Sequence, residues 1–153
     1  MTSLFSILPE SVAVIRADTK HEILGRLAEI FAASYQLDPA DVLERLEERE
    51  NLGSTGFGRG VAIPHARVPG IKRPVAALLK LEDPVDFAAA DGLPVELVFG
   101  LLSPENAGVT HLHALAAISR LVRDERTHDA LMEAEGEEAL YALLANATDR
   151  DAA

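Results

Sequence analysis

PVAALLKL at Pro74–Leu81 and VELVFGLL at Val95–Leu102 are two short, almost unbroken apolar segments. Neither alternates polar with apolar, so each reads as a strand covered on both faces. Pro84–Asp91 reads as a turn region between them, and Pro104 and Gly108 break the pattern across Ser103–Gly108. A sheet buried on both faces needs a layer on each side, and the flanking sequence supplies helices. Thr19-Lys-His-Glu22 reads as a capping box, followed by Ile23, Leu24, Leu27, Ala28, Ile30 and Phe31 at helical spacing. Asp38-Pro39 starts a second helix, with Asp38 as N-cap and Pro39 in the first turn. That helix buries Val42, Leu43 and Leu46, keeps Glu44, Glu47 and Glu48 wet, and ends near Asn51-Leu52-Gly53. After the strands, Thr110–Arg123 reads as a helix with Leu112, Leu115, Ile118, Ser119 and Val122 along its apolar side. Thr127–Ala134 and Glu137–Asn146 read as two more helices, and Thr148–Ala153 as a frayed end. The expected architecture is α/β, a single domain over residues 1–153 with a central mixed β-sheet flanked by helices on both faces.

Composition narrows the function classes. The chain has 153 residues, 48% of them hydrophobic, and no cysteine. One domain of this size buries roughly 70% of its unfolded surface and needs no metal or disulfide to hold together. Without cysteine there is no disulfide framework, no Cys-ligated zinc and no thiol nucleophile. Apolar runs such as Val75–Leu79 fall far short of the ~20 residues that span a bilayer, so no membrane insertion is expected. The stretch MTSLFSILPESV lacks the basic lead of a secretory signal, so the expected location is cytoplasmic. The net charge of −11 disfavours nucleic acid as a partner.

That charge is unevenly spread. Residues 51–80 contain no Asp or Glu but carry Arg59, Arg67, Lys72, Arg73 and Lys80; the other 123 residues hold 25 acids against 9 bases. A basic window in an acidic chain marks a candidate anion site.

Inside this window lies Gly53-Ser-Thr-Gly-Phe-Gly-Arg-Gly60, read as a loop. Gly53 and Gly58 have P-loop spacing, but Arg59-Gly60 stands where Lys-Ser/Thr is required, and the glycines do not fit the dinucleotide fingerprint. Either the loop is only a tight turn, or it is a backbone cradle for an oxyanion. Next comes Val61-Ala-Ile-Pro64, a strand-like lead into His65, stiffened by Pro64. A histidine beside a glycine-rich loop in an acid-free window suits acceptance of a phosphoryl group, since neutral imidazole is a good nucleophile near pH 7. On a helix His111 and His113 point about 200° apart, so at most one of them joins His65. His111 lies near a helix start, a favourable place for an anion. His113 is then exposed or structural, and His21 and His128 are expected to be solvated. No metal-site motif or nucleophile-elbow signature is present, so neither a metal nor a cofactor is expected.

The block Glu48-Arg-Glu-Asn-Leu-Gly-Ser-Thr-Gly-Phe-Gly58, followed by Gly60-Val-Ala-Ile-Pro-His65, closely resembles the active-site block of mannitol/fructose-type enzyme IIA domains of the bacterial phosphoenolpyruvate-dependent phosphotransferase system. His111-Leu-His113 resembles that family's second histidine motif, and the likeness runs over about residues 5–147. The wording of the first block is most similar to the nitrogen-regulatory, PtsN-like branch.

The resemblance implies that His65 takes a phosphoryl group on Nε2 from a phosphorylated carrier protein, HPr or its nitrogen-branch relative NPr. It implies that Arg49 and His111 contact the phosphate, and that the protein acts as a phosphocarrier whose phosphorylation state regulates target proteins. Branch members are associated with potassium transport and sensor kinases. The alternative is a stand-alone fructose/mannitol-type enzyme IIA that passes phosphate to an enzyme IIB. The Ser54, Thr55, Gly56, Gly58 and Gly60 segment is expected to serve as the phosphate-binding loop, with Phe57 and Ile63 excluding water. The family pattern usually has Gly after the active histidine where this chain has Ala66, which matters if that position needs a positive φ. Two competing classes are a pure binding module that keeps the fold and a metal-dependent hydrolase using His65 and His111.

Overall fold

The computed structural model describes residues 4–152, with side chains described as far as Ala147. The elements in chain order are β1 (Ser6–Ile15), α1 (Lys20–Tyr35), α2 (Pro39–Asn51), β2 (Gly56–Gly58), β3 (Val61–Ala62), β4 (His65–Val68), β5 (Val75–Val85), β6 (Val95–Pro104), α3 (Val109–Arg123), α4 (Glu125–Glu133) and α5 (Glu137–Ala152). The strands form one mixed sheet in the order β1-β5-β6-β3-β2, with β4 also paired to β6. β5 and β6 are antiparallel neighbours at its centre, and β1 lies parallel to β5 at the edge.

The apolar runs read as doubly covered strands are so. Alternate residues Ala77, Leu79, Val98 and Leu102 pack under α1 and α2. Ala76, Leu78, Leu97, Phe99 and Leu101 pack under α3, α4 and α5. This period-two division puts one helical layer on each face. α1 presses close to β6: a Cβ added at Gly100 would sit 2.8 Å from both methyls of Leu27. Lys80, on β5, holds α4 in place by donating to the carbonyls of Met132 and Ala134, each at 2.6 Å, and of Leu131 at 3.2 Å. A cation at a helix C-terminus satisfies carbonyls left without intrahelical partners.

Helix starts follow the caps read from sequence. Thr19 Oγ1 accepts from Glu22 N at 3.1 Å, and Asp38 accepts from Ala40 N. The return bond of the first cap differs, because the Glu22 carboxylate accepts from Asp18 N rather than from Thr19.

Several expectations are corrected. β1 has no counterpart in the sequence reading, because its register shifts between Ile7 and Val12 around exposed Pro9 and Glu10, which breaks the apolar pattern. Proline is tolerated there because β1 is an edge strand. β5 runs on through Pro84 and Val85 after a register shift past Lys80, so the turn region is shorter than expected. β6 likewise extends to Pro104. The glycine-rich segment is partly a strand, β2, paired antiparallel with β3. The buried side of α3 is His111, Ala114, Ala117, Ile118, Leu121 and Val122, with Leu112 59% exposed. α5 continues to Ala152 where a frayed end is expected, and Ala153 lies outside the described residues. No described helix is long and apolar enough to cross a membrane.

Candidate functional site

β3 and β4 keep a single register on β6. Val61 lies opposite Leu97, Ala62 opposite Val98, His65 opposite Leu101 and Ala66 opposite Leu102. They are one parallel strand interrupted at Ile63-Pro64. Pro64 has no N–H to give to the ladder, though its carbonyl still accepts from Leu101 N at 3.0 Å. The Ile63 carbonyl accepts instead from His65 Nδ1 at 2.7 Å. A carbonyl only accepts, so Nδ1 carries the proton and Nε2 keeps its lone pair. Arg49 Nε, approaching from α2, donates to that same Nε2 at 3.2 Å. The two contacts agree on one tautomer.

α2 places its side chains by helical period. Arg45 and Arg49, four residues apart, both line the cleft beside His65. The Arg49 guanidinium is braced by Nη1 donating to Gly53 O at 2.9 Å. Val42, Leu46 and Glu50 repeat at the same interval on the buried face, so Glu50 is turned inward with its side chain only 4% exposed. Its carboxylate accepts from Thr55 N at 2.7 Å, from Thr55 Oγ1 at 2.5 Å and from Lys20 Nζ at 2.7 Å. Thr55 O in turn accepts from Ile63 N at 2.9 Å. A connected path therefore runs from Glu50 through Thr55 and Ile63 to the imidazole of His65.

His111, in the first turn of α3, is buried at 4% exposure. Its ring centroid lies 5.6 Å from that of His65, and its Nδ1 is 2.6 Å from Ser103 Oγ at the end of β6. Arg67, on β4, completes the cationic lining and is held by Nε donating to Ala107 O at 2.9 Å. The cleft has a volume of about 440 Å³, and Leu52, Leu112 and Leu115 form its apolar lining. Leu52 is 84% exposed, so this rim is open to solvent.

Burial holds both imidazoles neutral. Desolvation lowers the His65 pKa, opposed by the Ile63 hydrogen bond and reinforced by Arg49 and Arg67. For His111, desolvation and then the Arg67 and His65 charges bring it from 6.5 to about 4. Both folded values lie below the unfolded one, so the unfolded state binds more protons as acid is added. Their contribution to stability is present above pH 6.5 and is lost as pH falls towards about 4. Denaturant titrations across that window should show stability falling, with a shallower slope in His111→Asn; an unchanged slope would remove His111 from the account.

The sequence-predicted residues do not all meet here. His65, Arg49 and His111 come together in the cleft. Ser54, Thr55, Gly56, Gly58 and Gly60 do not line it. Ser54 Oγ donates to Phe87 O at 2.7 Å and Thr55 is engaged by Glu50. Gly56 lies against Ala89, where an added Cβ would approach to 2.7 Å. Gly58 and Gly60, with φ of 106° and 82°, shape the β2–β3 turn. Ile63 is buried at 5%, but Phe57 is 36% exposed beside Arg123 and does not line the cleft. His113 and His21 are exposed, as read. His128 is not solvated: its side chain is 11% exposed, and Nε2–H donates to Arg59 O at 2.8 Å. Ala66 sits in β4 without a positive φ, so its methyl costs nothing in backbone strain. Among the described residues, no group of three or more His, Asp or Glu is placed to hold a metal ion.

Glu50, Arg67 and Ser103 carry roles that the sequence reading did not assign. Glu50 was legible from its place in the Val42, Leu46, Glu50 stripe, and Arg67 from its alternation with His65 along a strand. Ser103 had no signal, because its partner lies eight residues on in another element.

The chain is similar in sequence and fold to known proteins. Residues 6–147 match the family model described as phosphoenolpyruvate-dependent sugar phosphotransferase system, EIIA 2. A nitrogen regulatory protein of Pseudomonas aeruginosa is 41% identical over 135 residues, covering 88% of each chain. One of Bradyrhizobium diazoefficiens is 39% identical over 140 residues, covering 91% of this chain and 92% of the other. The crystal structure of nitrogen regulatory protein IIA-Ntr from Neisseria meningitidis superposes with a TM-score of 0.83 at 35% identity, covering 90% of this chain and 95% of that one. With the model spanning nearly the whole fold, the chain belongs to the EIIA 2 family of the phosphoenolpyruvate-dependent sugar phosphotransferase system.

Proposed function

We propose that the chain is a phosphocarrier: His65 Nε2 accepts a phosphoryl group from a phosphorylated HPr- or NPr-type carrier protein, and the phosphorylation state regulates target proteins. The observation that carries this reading is the pinning of His65 Nδ1–H on the Ile63 carbonyl, which leaves Nε2 unprotonated, its electron pair accepting from Arg49 Nε.

In the transfer, the P–N bond of the donor breaks as the Nε2–P bond of His65 forms, and the donor imidazole leaves with the electron pair. Little covalent chemistry is asked of the protein, so rate comes from positioning and fixed charge. Arg49 must turn its N–H from the lone pair to a phosphoryl oxygen. Its anchor on Gly53 O keeps the guanidinium within reach during that turn. Arg67 adds charge that favours the phosphorylated form, and His111 donates to a second oxygen. The Ser54–Gly60 segment supports the phosphate site from behind, through Thr55 and Ile63, with its glycine backbone shaping the adjoining turn.

The exposed rim suits a protein donor. Leu52 and Leu112 offer apolar surface that docking dries, which strengthens the charge interactions and protects the P–N bond from water. The nitrogen-regulatory relatives at 41% and 39% identity favour a regulatory output, delivered as different binding of the two phosphorylation states to a target.

Incubation with phosphoenolpyruvate, enzyme I and either carrier, followed by intact-mass measurement, tests this. One phosphate that is acid-labile and alkali-stable is the expected result. No mass gain with any carrier removes the phosphocarrier reading.

A further inference from the structure

The two imidazoles of the cleft are held in different ways. His65 gives its Nδ1 proton to a backbone carbonyl. His111 places its Nδ1 2.6 Å from Ser103 Oγ, a hydroxyl with no solvent exposure. A hydroxyl both donates and accepts, so this contact alone has two readings. The surroundings of Ser103 decide between them. Among the described residues its Oγ makes no other hydrogen bond. If His111 Nδ1–H donated, the Ser103 proton would be buried without an acceptor, a state costing roughly 1–3 kcal/mol. With Ser103 as donor, both groups are satisfied.

We propose that Ser103 is a positioning residue that fixes His111 as the neutral Nε2–H tautomer, making it an uncharged donor to the phosphoryl group carried on His65. The inference rests on the phosphocarrier reading for its functional half. Its structural half concerns the unmodified protein. The two histidines are then complementary: His65 presents a lone pair at Nε2, and His111 presents a proton at Nε2.

The choice of a neutral donor has a chemical reason. A phosphocarrier must release its group as readily as it takes it. An imidazolium in this position would add a full charge to the favourable interactions with phosphohistidine and slow its departure. A neutral N–H supplies direction and a hydrogen bond without that penalty. The opposite tautomer would aim a lone pair at the phosphoryl oxygens and repel them.

The test is imidazole nitrogen NMR of the unphosphorylated protein near pH 7, alongside phosphoryl-transfer rates for wild type, Ser103→Ala and Ser103→Thr. In wild type, His111 should show a pyridine-type Nδ1 and a pyrrole-type Nε2, and His65 the reverse. Ser103→Ala should move His111 to mixed or reversed tautomers, leave His65 unchanged, and slow transfer from the carrier about tenfold, the effect of leaving roughly a tenth of the molecules in the donor tautomer. Ser103→Thr, which keeps the hydroxyl, should restore both.

A wild-type His111 with a protonated Nδ1 would overturn the assignment. So would a Ser103→Ala protein with an unchanged His111 spectrum. The NMR arm needs no phosphorylation, so it judges Ser103 whichever carrier works. Failure of the wild type to gain phosphate instead strikes the phosphocarrier reading, which separates the two failures.

Discussion

His65→Ala is expected to gain no phosphate from phosphoenolpyruvate, enzyme I and carrier, while remaining folded. The chain has five histidines, and the structure separates them by availability. His111 has Nδ1 engaged and sits buried, and His128 donates from Nε2 to a backbone carbonyl. His21 and His113 are exposed, with His21 Nδ1 against Glu47. Only His65 combines an unprotonated Nε2, which accepts from Arg49 Nε, with a place in the cleft lined by Arg45, Arg49 and Arg67. Transfer should therefore fall to background, not to an intermediate level. The stability change should be small, about 1–2 kcal/mol, since the substitution removes a half-buried ring and its two hydrogen bonds, with Ile63 O and Arg49 Nε, at a cleft open to solvent. Intact mass reads the first quantity and urea unfolding the second. Phosphate retained by a folded His65→Ala protein would place the acceptor elsewhere.

Glu50→Ala should cause the larger loss of stability, about 3 kcal/mol. Breaking a buried charge pair typically costs roughly 3–5 kcal/mol, because the remaining charge is left without its partner. Lys20 keeps some access to water, with its side chain 27% exposed, which argues for the lower end of that range. The Thr55 N–H and hydroxyl also lose their acceptor. A fall of this size is a large fraction of the roughly 5–15 kcal/mol that holds a typical domain together. Glu50 also lies at the head of the path through Thr55 and Ile63, so the variant should broaden the His65 imidazole resonances even at temperatures where it is fully folded. A drop below about 1 kcal/mol in urea unfolding, with sharp His65 signals, would mean that the 53–55 turn is held by other contacts.

What the sequence disclosed follows the range over which each signal acts. Caps and helical stripes are local, and Thr19, Asp38 and the apolar positions of α1 read correctly. The central strands are legible because they are continuous apolar runs. β1 is not, since Pro9 and Glu10 interrupt it and only its pairing with β5 makes it a strand. The phase of α3 fails for a related reason. Leu112 faces the open cleft, while polar His111 takes an inward position that hydropathy assigns to a leucine.

The charge window shows the same limit. It points to the neighbourhood of His65, yet of its five cations only Arg67 lines the cleft. Lys80 caps α4, and the other lining arginines, Arg45 and Arg49, come from α2 outside the window. Proximity along the chain is a weak guide to proximity in space when a sheet stands between.

The interruption at Ile63-Pro64 has a further consequence for how such a domain can diversify. The imidazole of His65 takes its orientation from the register of β3 and β4 on β6, which belongs to the interior of the sheet. The rim proposed to meet a partner is built from side chains at helix ends, such as Leu52 and Leu112. Heredity can therefore rewrite the rim, and with it the company the domain keeps, while the imidazole stays in the same attitude.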